Sequence, residues 1–341
     1  MKIPVYSSTI RRKEMDAVLT CLVSEKLGPG EFYQRLIQQL KDTIPIEAAA
    51  AFRSPVIAFE YALRALDIPA GSEIIISALA PKWHYHAVIK FGYIPKIVDV
   101  DPETAQMNFE AIAEAIKTGG RLVLIHEPLG YMPDPERIKT LEVPVIEDVS
   151  TSFGGFVGES RAGMNGVFAI LGLEDMDLVT AGGGALLMAS ARRESIVLKK
   201  DADEAPITDI LTDFNAALAF VQIKELARNN EIRKDIHSLF TRSLMQGRHK
   251  NLLQSGEGSP SYYSFPVLLS SGVKEVRQYT NRKDIDIAPA FSDSVAEMLG
   301  EELSGCIHAK SLLMRCVLFP LYPRLGGSNS SKIAKVLATL P

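Results

Sequence analysis

The densest group of side chains able to do chemistry is the run Trp83-His84-Tyr85-His86, which sets two imidazoles two residues apart among aromatic rings. Imidazole can pass a proton near neutrality or bind a metal through a ring nitrogen. Spacing of two puts both rings on one face only in an extended segment; if the run begins a helix before Phe91, they diverge. A metal site would also need ligands that the sequence does not identify, so histidines lining a pocket are the favoured reading and no metal is expected. Lys82, beside the cluster, offers an amine that could approach a bound aldehyde, although such a lysine more often lies on a solvated face. His126 in LIHEPLG and Asp148 in VIEDVS each end an apolar run, at the edge where open α/β sheets bind ligands. A strand-end acid such as Asp148 also commonly caps the next turn. Glu174, Asp175 and Asp177 form an acidic patch that could take a cation, with a solvated loop as the commoner outcome. Gly182, Gly183 and Gly184 suggest a phosphate cradle, but ALLMAS follows as a strand, so a tight turn is the better reading. No Gly-x-Ser-x-Gly, HExxH or Walker-type motif is present. One gap also bears on chemistry: Lys139 is followed by no lysine until Lys199.

These residues need a scaffold, and the alternation of apolar runs with helical stretches between 45 and 190 supplies one. Strands are predicted at 73–77, 96–100, 121–126, 143–147, 166–171 and 185–188. Most read as continuous apolar runs (IIIS, KIVDV, RLVLIH), which suits parallel strands covered on both faces and joined by helical crossovers. From 212 to about 244, Leu218, Phe220, Val221, Ile223, Leu226, Ile232 and Ile236 recur at helical spacing, with Lys224, Arg228 and Arg233 between them. One or two long connecting helices follow. After the polar stretch GRHKNLLQSGEGSP, the segments SYYSFPVLL, RKDIDIAPAF and CVLFPLYP read as a smaller α+β unit. The expected division is a large domain over 1–248 and a small one over 249–341.

A chain of 341 residues, 47% hydrophobic and 23% charged, can bury a full core. Its net charge of -4 gives no basic footprint for nucleic acid or for an anionic membrane. MKIPVYSSTIRRKEMD has no apolar leader region, and a cytoplasmic protein is expected. Cys21, Cys306 and Cys316 are odd in number and lack paired spacing, so free thiols, mostly buried, are expected.

Several blocks in register resemble one family. IPVYSSTIRRKEMDAVLTCLVSEKLGPG is similar to an amino-terminal segment ending in a Leu-Gly-Pro-Gly turn. FRSPVIAFEYALRALDIPAGSEIIIS resembles a phosphate loop, helix and strand; GYIPKIVDVDPETAQMNFEAIAEAI resembles the next strand, acidic turn and helix. LIHEPLGYMPD, VIEDVSTSFGG, TAGGGALLMAS and FPLYPRL follow in order. On these residues the chain is identified as a member of the DegT/DnrJ/EryC1/StrS sugar aminotransferases, over nearly its whole length. The resemblance implies the aspartate aminotransferase fold (fold type I): a three-layer α/β/α domain with a mostly parallel sheet, then a small α+β domain. It implies a dimer with shared sites and a setting in nucleotide-sugar or polysaccharide biosynthesis.

The family's pyridoxal phosphate (PLP) forms a Schiff base with a lysine while an aspartate holds the proton on the ring nitrogen. Asp148 matches that aspartate. At the lysine, FAILGLEDMDLVTAGGGAL is two residues longer than the family segment; alignment from Phe168 puts Glu174 there, and alignment from Gly183 and Gly184 puts Met176 there. The histidine of dehydratase relatives is absent too, with Leu171 and Leu173 nearest its place. The phosphate loop reads Ser54-Pro55-Val56, the motif given by the dimer partner falls on Thr208-Asp209-Ile210-Leu211, the stacking aromatic falls near Pro81 with Trp83 as a substitute, and Thr151 stands where a His or Gln is usual. His126 corresponds to a mainly structural residue. Asp148, Ser54, Trp83 and Thr151 are thus expected as a vestigial cofactor site. The reading is a family member that no longer transaminates, with no cofactor, either binding a sugar nucleotide in the old cleft or partnering an active paralogue, as a homodimer. The alternatives are an active PLP enzyme using a displaced lysine such as Lys82, and a cofactor-free enzyme using His84, His86 and Glu174 as acid and base.

Overall fold

The computed structural model describes residues 2–341. A seven-stranded sheet runs in the order Ala48–Phe52, Ala185–Ala189, Phe168–Gly172, Val145–Asp148, Gly120–His126, Glu73–Ser77, Ile94–Val98. The five strands from Phe168–Gly172 to Ile94–Val98 are mutually parallel; Ala185–Ala189 is antiparallel to both its neighbours. Alternation of side chains sends consecutive residues to opposite helical layers. Ile74 and Ile76 join Ala58, Phe59, Ala62 and Val88 on one face, while Ile75 meets Phe109 and Ile112 on the other. Both faces are dry, which is why these strands read as unbroken apolar runs.

The edge strand Ala48–Phe52 was not among the predicted strands. Its sequence, AAAAF, lacks the β-branched residues that favour a pleated surface, and alanine leans toward helix. Burial decides instead: Ala48, Ala50, Ala51 and Phe52 are fully inaccessible. The other strands were predicted within two residues or so of where they lie. The predicted connecting helices are Asp213–Lys224 and Leu226–Leu244.

A second sheet places Cys316–Phe319 between Phe265–Leu268 and Ala288–Pro289, all antiparallel. Its core gathers Phe265, Val317 and Phe319 with Ile236, Phe240 and Leu244 from the long connecting helix. Ile3, near the chain start, bridges to Ile285 and belongs to this same core. All three cysteines are free and buried. No helix among the described residues is long and apolar enough to cross a membrane.

Candidate functional site

Asp148 and His126 end adjacent parallel strands and stand opposite each other in register. The helix Lys82–Lys90 delivers His84 to the same point. Turning by about 100° per residue, it buries His84 completely and leaves His86 exposed, so the two rings do diverge. His84 Nε2 lies 2.8 Å and His126 Nδ1 3.2 Å from the same oxygen, Asp148 Oδ2. Asp148 Oδ1 accepts from the backbone N–H and hydroxyl of Ser150. Burial opposes charge on Asp148, but the hydrogen bonds from His126 and His84 and the attraction of those rings win, holding the carboxyl well below its ordinary range. His84 moves the other way to neutrality: burial lowers its pKa against the pull of Asp148. With its Nε2 proton on Asp148, its Nδ1 is a buried acceptor without a partner. The three ligand-type atoms lie within 4.8 Å of one another, a grouping that brings together residues 84, 126 and 148 from three separate segments.

The loop 173–184 approaches these strand ends and is closed at its neck. Leu173 N–H donates to the Gly184 carbonyl, and the Leu173 carbonyl accepts from Ala181 and Gly183, all at 2.9–3.0 Å. Glu174 and Met176 both lie exposed on it, and Glu174 Oε1 accepts a 3.4 Å bond from Gly184 N–H. Asp177 is different from the solvated acid expected: it turns inward, accepts the Glu174 N–H at 2.7 Å, and its carboxyl pKa is raised well above the ordinary value, by burial first and then by Asp148 and Glu174. A Cβ added at Gly172 would sit 2.4 Å from Asp177 Oδ2 and 2.8 Å from Ser150 Oγ, so a larger residue there would displace these side chains.

The remaining predicted residues make the following contacts. Ser54 caps the helix Pro55–Leu66 by accepting the Ile57 N–H at 3.2 Å, with Pro55 at the first helical position, where no N–H is missed. Trp83 packs edge-on against Phe59 and His84. Thr151 donates its hydroxyl to the Glu127 carbonyl at 2.7 Å and accepts from Gly130 N–H, bracing the turn after His126. Lys82 is 53% exposed and pairs with Asp293 at 2.6 Å; that hydrogen bond and charge raise its pKa, the opposite of what a free nucleophilic amine requires. Two residues were missed altogether. Glu127 is fully buried with no partner for its carboxyl oxygens, its pKa driven well up by burial and then by Glu147. Arg233, expected as one of the charges between apolar helix positions, is only 7% exposed. Sequence periodicity cannot tell a charge on a solvated stripe from one facing a polar pocket.

For a pyridoxal ring the donor set fits in one respect only. A buried, charged carboxylate at a strand end is what a protonated ring nitrogen needs, although His84 and His126 now share its accepting oxygen. At the two positions that align with the family lysine stand Glu174 and Met176, neither of which carries an amine.

The sequence model of the DegT/DnrJ/EryC1/StrS aminotransferase family matches residues 8–338. GDP-perosamine synthase of Escherichia coli O157:H7 is 24% identical, with 96% of this chain and 95% of that protein covered. Among solved structures, an E. coli GDP-4-keto-6-deoxy-D-mannose-3-dehydratase with bound hydrated PLP matches at 17% identity with a TM-score of 0.85, covering 99% of this chain and 100% of that one. A Streptococcus pneumoniae protein in its PLP form matches at 16% identity with a TM-score of 0.89, covering 99% and 98%. These neighbours correct the expectation of no cofactor: with the family itself, they point to pyridoxal phosphate, and the cofactor-free acid–base reading of His84, His86 and Glu174 falls with that expectation. The strand-end aspartate, the glycine-closed loop and the fold occur together across 331 matched residues, and the chain belongs to the DegT/DnrJ/EryC1/StrS aminotransferase family.

Proposed function

We propose that this chain serves nucleotide-sugar or polysaccharide biosynthesis as a member that does not transaminate through a lysine, holds its cofactor without a covalent bond, and acts as a ligand-binding or partner subunit. The observation that carries this reading is the pairing of a retained, buried and charged Asp148 with a loop that bears Glu174 and Met176 but no lysine. A GDP-linked deoxysugar is the ligand class favoured by the names of GDP-perosamine synthase and the dehydratase relative.

When bound, pyridoxal phosphate supplies an electron-withdrawing ring that stabilises negative charge on an attached carbon. Asp148 would hold the proton at the ring nitrogen. Ser150 keeps that carboxylate oriented through Oδ1, leaving Oδ2 as the atom that His84, His126 and a ring nitrogen would share.

The proposed assembly is a cytoplasmic homodimer. The first helix, Arg12–Val23, supports it with a solvent-facing stripe of Met15, Leu19, Leu22 and Val23, between 46% and 75% exposed, at the spacing of one helical face.

The test is titration of the purified protein with pyridoxal phosphate, followed by borohydride reduction and peptide mapping. Binding that dialysis reverses, weakened by Asp148→Asn and leaving no modified lysine peptide, supports the proposal. Cofactor fixed specifically to one lysine would overturn it.

A further inference from the structure

Arg233 is the only buried lysine or arginine among the described residues. Its guanidinium donates to Asn230 Oδ1 at 2.9 Å. The titratable groups nearest it in effect are the uncharged Tyr263 phenol and a second cation, Arg11, with no carboxylate among them. Burying a charge without a counter-charge is costly, because lost hydration is not repaid by Coulomb attraction. Such a residue persists where something else completes it.

The guanidinium borders a cavity of about 40 Å³ also walled by Tyr6, Ser8, Asp177, Thr180 and Tyr322. The walls come from three places: the amino-terminal segment, the loop 173–184, and the residues after strand Cys316–Phe319. Hydroxyls predominate. The acid nearest the interior, Asp177, has its carboxyl pKa raised by burial and spends one oxygen on the Glu174 N–H. The exposed Asp175 is engaged by the Ser8 hydroxyl at 3.4 Å. Tyr263 donates to the Met176 carbonyl at 2.6 Å and its hydroxyl also meets that of Tyr6, which lines the cavity beside it.

We propose that this pocket is an oxyanion site, taking the phosphate or carboxylate group of a small ligand on Arg233 with the Tyr6 and Thr180 hydroxyls as further donors. A guanidinium presents parallel N–H groups that match two oxygens of such a group, which an ammonium does not. The volume admits one anionic group and not a whole ligand, so the remainder lies outside, toward the loop. None of His84, His126 and Asp148 lines the pocket, although Met176 of the loop does, so the test below is run without the cofactor.

The experiment uses the full chain without pyridoxal phosphate. Calorimetric titration and thermal melting are run with inorganic phosphate, pyrophosphate and succinate, against chloride at matched ionic strength. Saturable binding with a rise in melting temperature is expected; a preference for the phosphates or for succinate tells which kind of ligand the site serves. Arg233→Gln should weaken binding at least tenfold and, having shed an unpaired buried charge, should not lower the melting temperature of the anion-free protein. Arg233→Lys should restore only part of the affinity. Absence of saturable binding for all three anions, or equal affinity in Arg233→Gln, would overturn the assignment. Should Arg233→Gln not fold, Tyr6→Phe decides: several-fold weaker binding supports the site, and unchanged binding refutes it.

Discussion

Glu147 and Asp148, consecutive acids on one strand, point to opposite faces and do different work. Glu147 accepts backbone N–H groups from Gly163, Asn165 and Gly166 and fixes that turn; Asp148 faces the cleft under two imidazoles. Losing the charged acceptor of such buried hydrogen bonds costs about 1.5–3 kcal/mol, so Asp148→Asn should lower unfolding free energy by that order in a denaturant titration at neutral pH. The same residue shapes the acid limb. Its folded pKa lies below the unfolded value of about 4, so its stabilisation is present above that pH and is lost as pH falls through the region below it. His237 acts at higher pH: burial among Tyr262 and Phe265 lowers its pKa to about 4. Between about pH 6.5 and 4 the unfolded chain binds the proton that the folded chain refuses, so stability falls with pH by roughly 3 kcal/mol from this group. His237→Phe should flatten that part of a stability-against-pH curve. Asp148 was legible because VIEDVS matches a known pattern. Glu127, Asp177 and Arg233 were not, since a one-dimensional pattern does not say which charged side chains turn inward.

Helix Glu31–Thr43 starts at Gly30, which has no side chain to cap it. The cap arrives from far along the chain: Asp213, 3% exposed, accepts the N–H groups of Gly30, Phe32 and Tyr33 at 2.8–3.0 Å. A carboxylate there satisfies orphan donors and faces the positive end of the helix. Asp213→Ala would leave three helix-start donors without their acceptor, the Phe32 N–H buried, and about 1–2 kcal/mol of stability should be lost, measurable by thermal or chemical unfolding. Asp213→Asn should recover part of it. Helix periodicity made Asp213–Lys224 readable, whereas a cap supplied from 180 residues away leaves no local signal. Tight packing set other limits. Gly184 has φ +118°, and an added Cβ would lie 2.4 Å from Leu211 Cδ1 and 3.1 Å from the Phe52 carbonyl. Gly184→Ala should therefore destabilise the edge of the sheet even though GGG reads only as a turn.

At the scale of the molecule, the alternating pattern showed that a mostly parallel sheet lies between helical layers, and several motifs in register named the family. What the pattern hid was how the chain's start is used: Ile3 enters the core of the second sheet, a long-range pairing invisible to any local window. The solvent-facing stripe on Arg12–Val23 predicts self-association. Sedimentation velocity should show a dimer, and Leu19→Glu with Leu22→Glu should shift it toward monomer with the fold intact by circular dichroism. A stable monomer in the unmodified protein would remove the proposed assembly. The closed neck at Leu173 bears on descent. Because three hydrogen bonds seal the loop where it leaves and rejoins the sheet, its length is uncoupled from the register of the strands on either side. Exchanges at its exposed tip, Glu174 to Met176, cost folding little, whereas Leu178, Val179 and Ala181 are buried in the core and hold the rest of the loop as the scaffold is inherited.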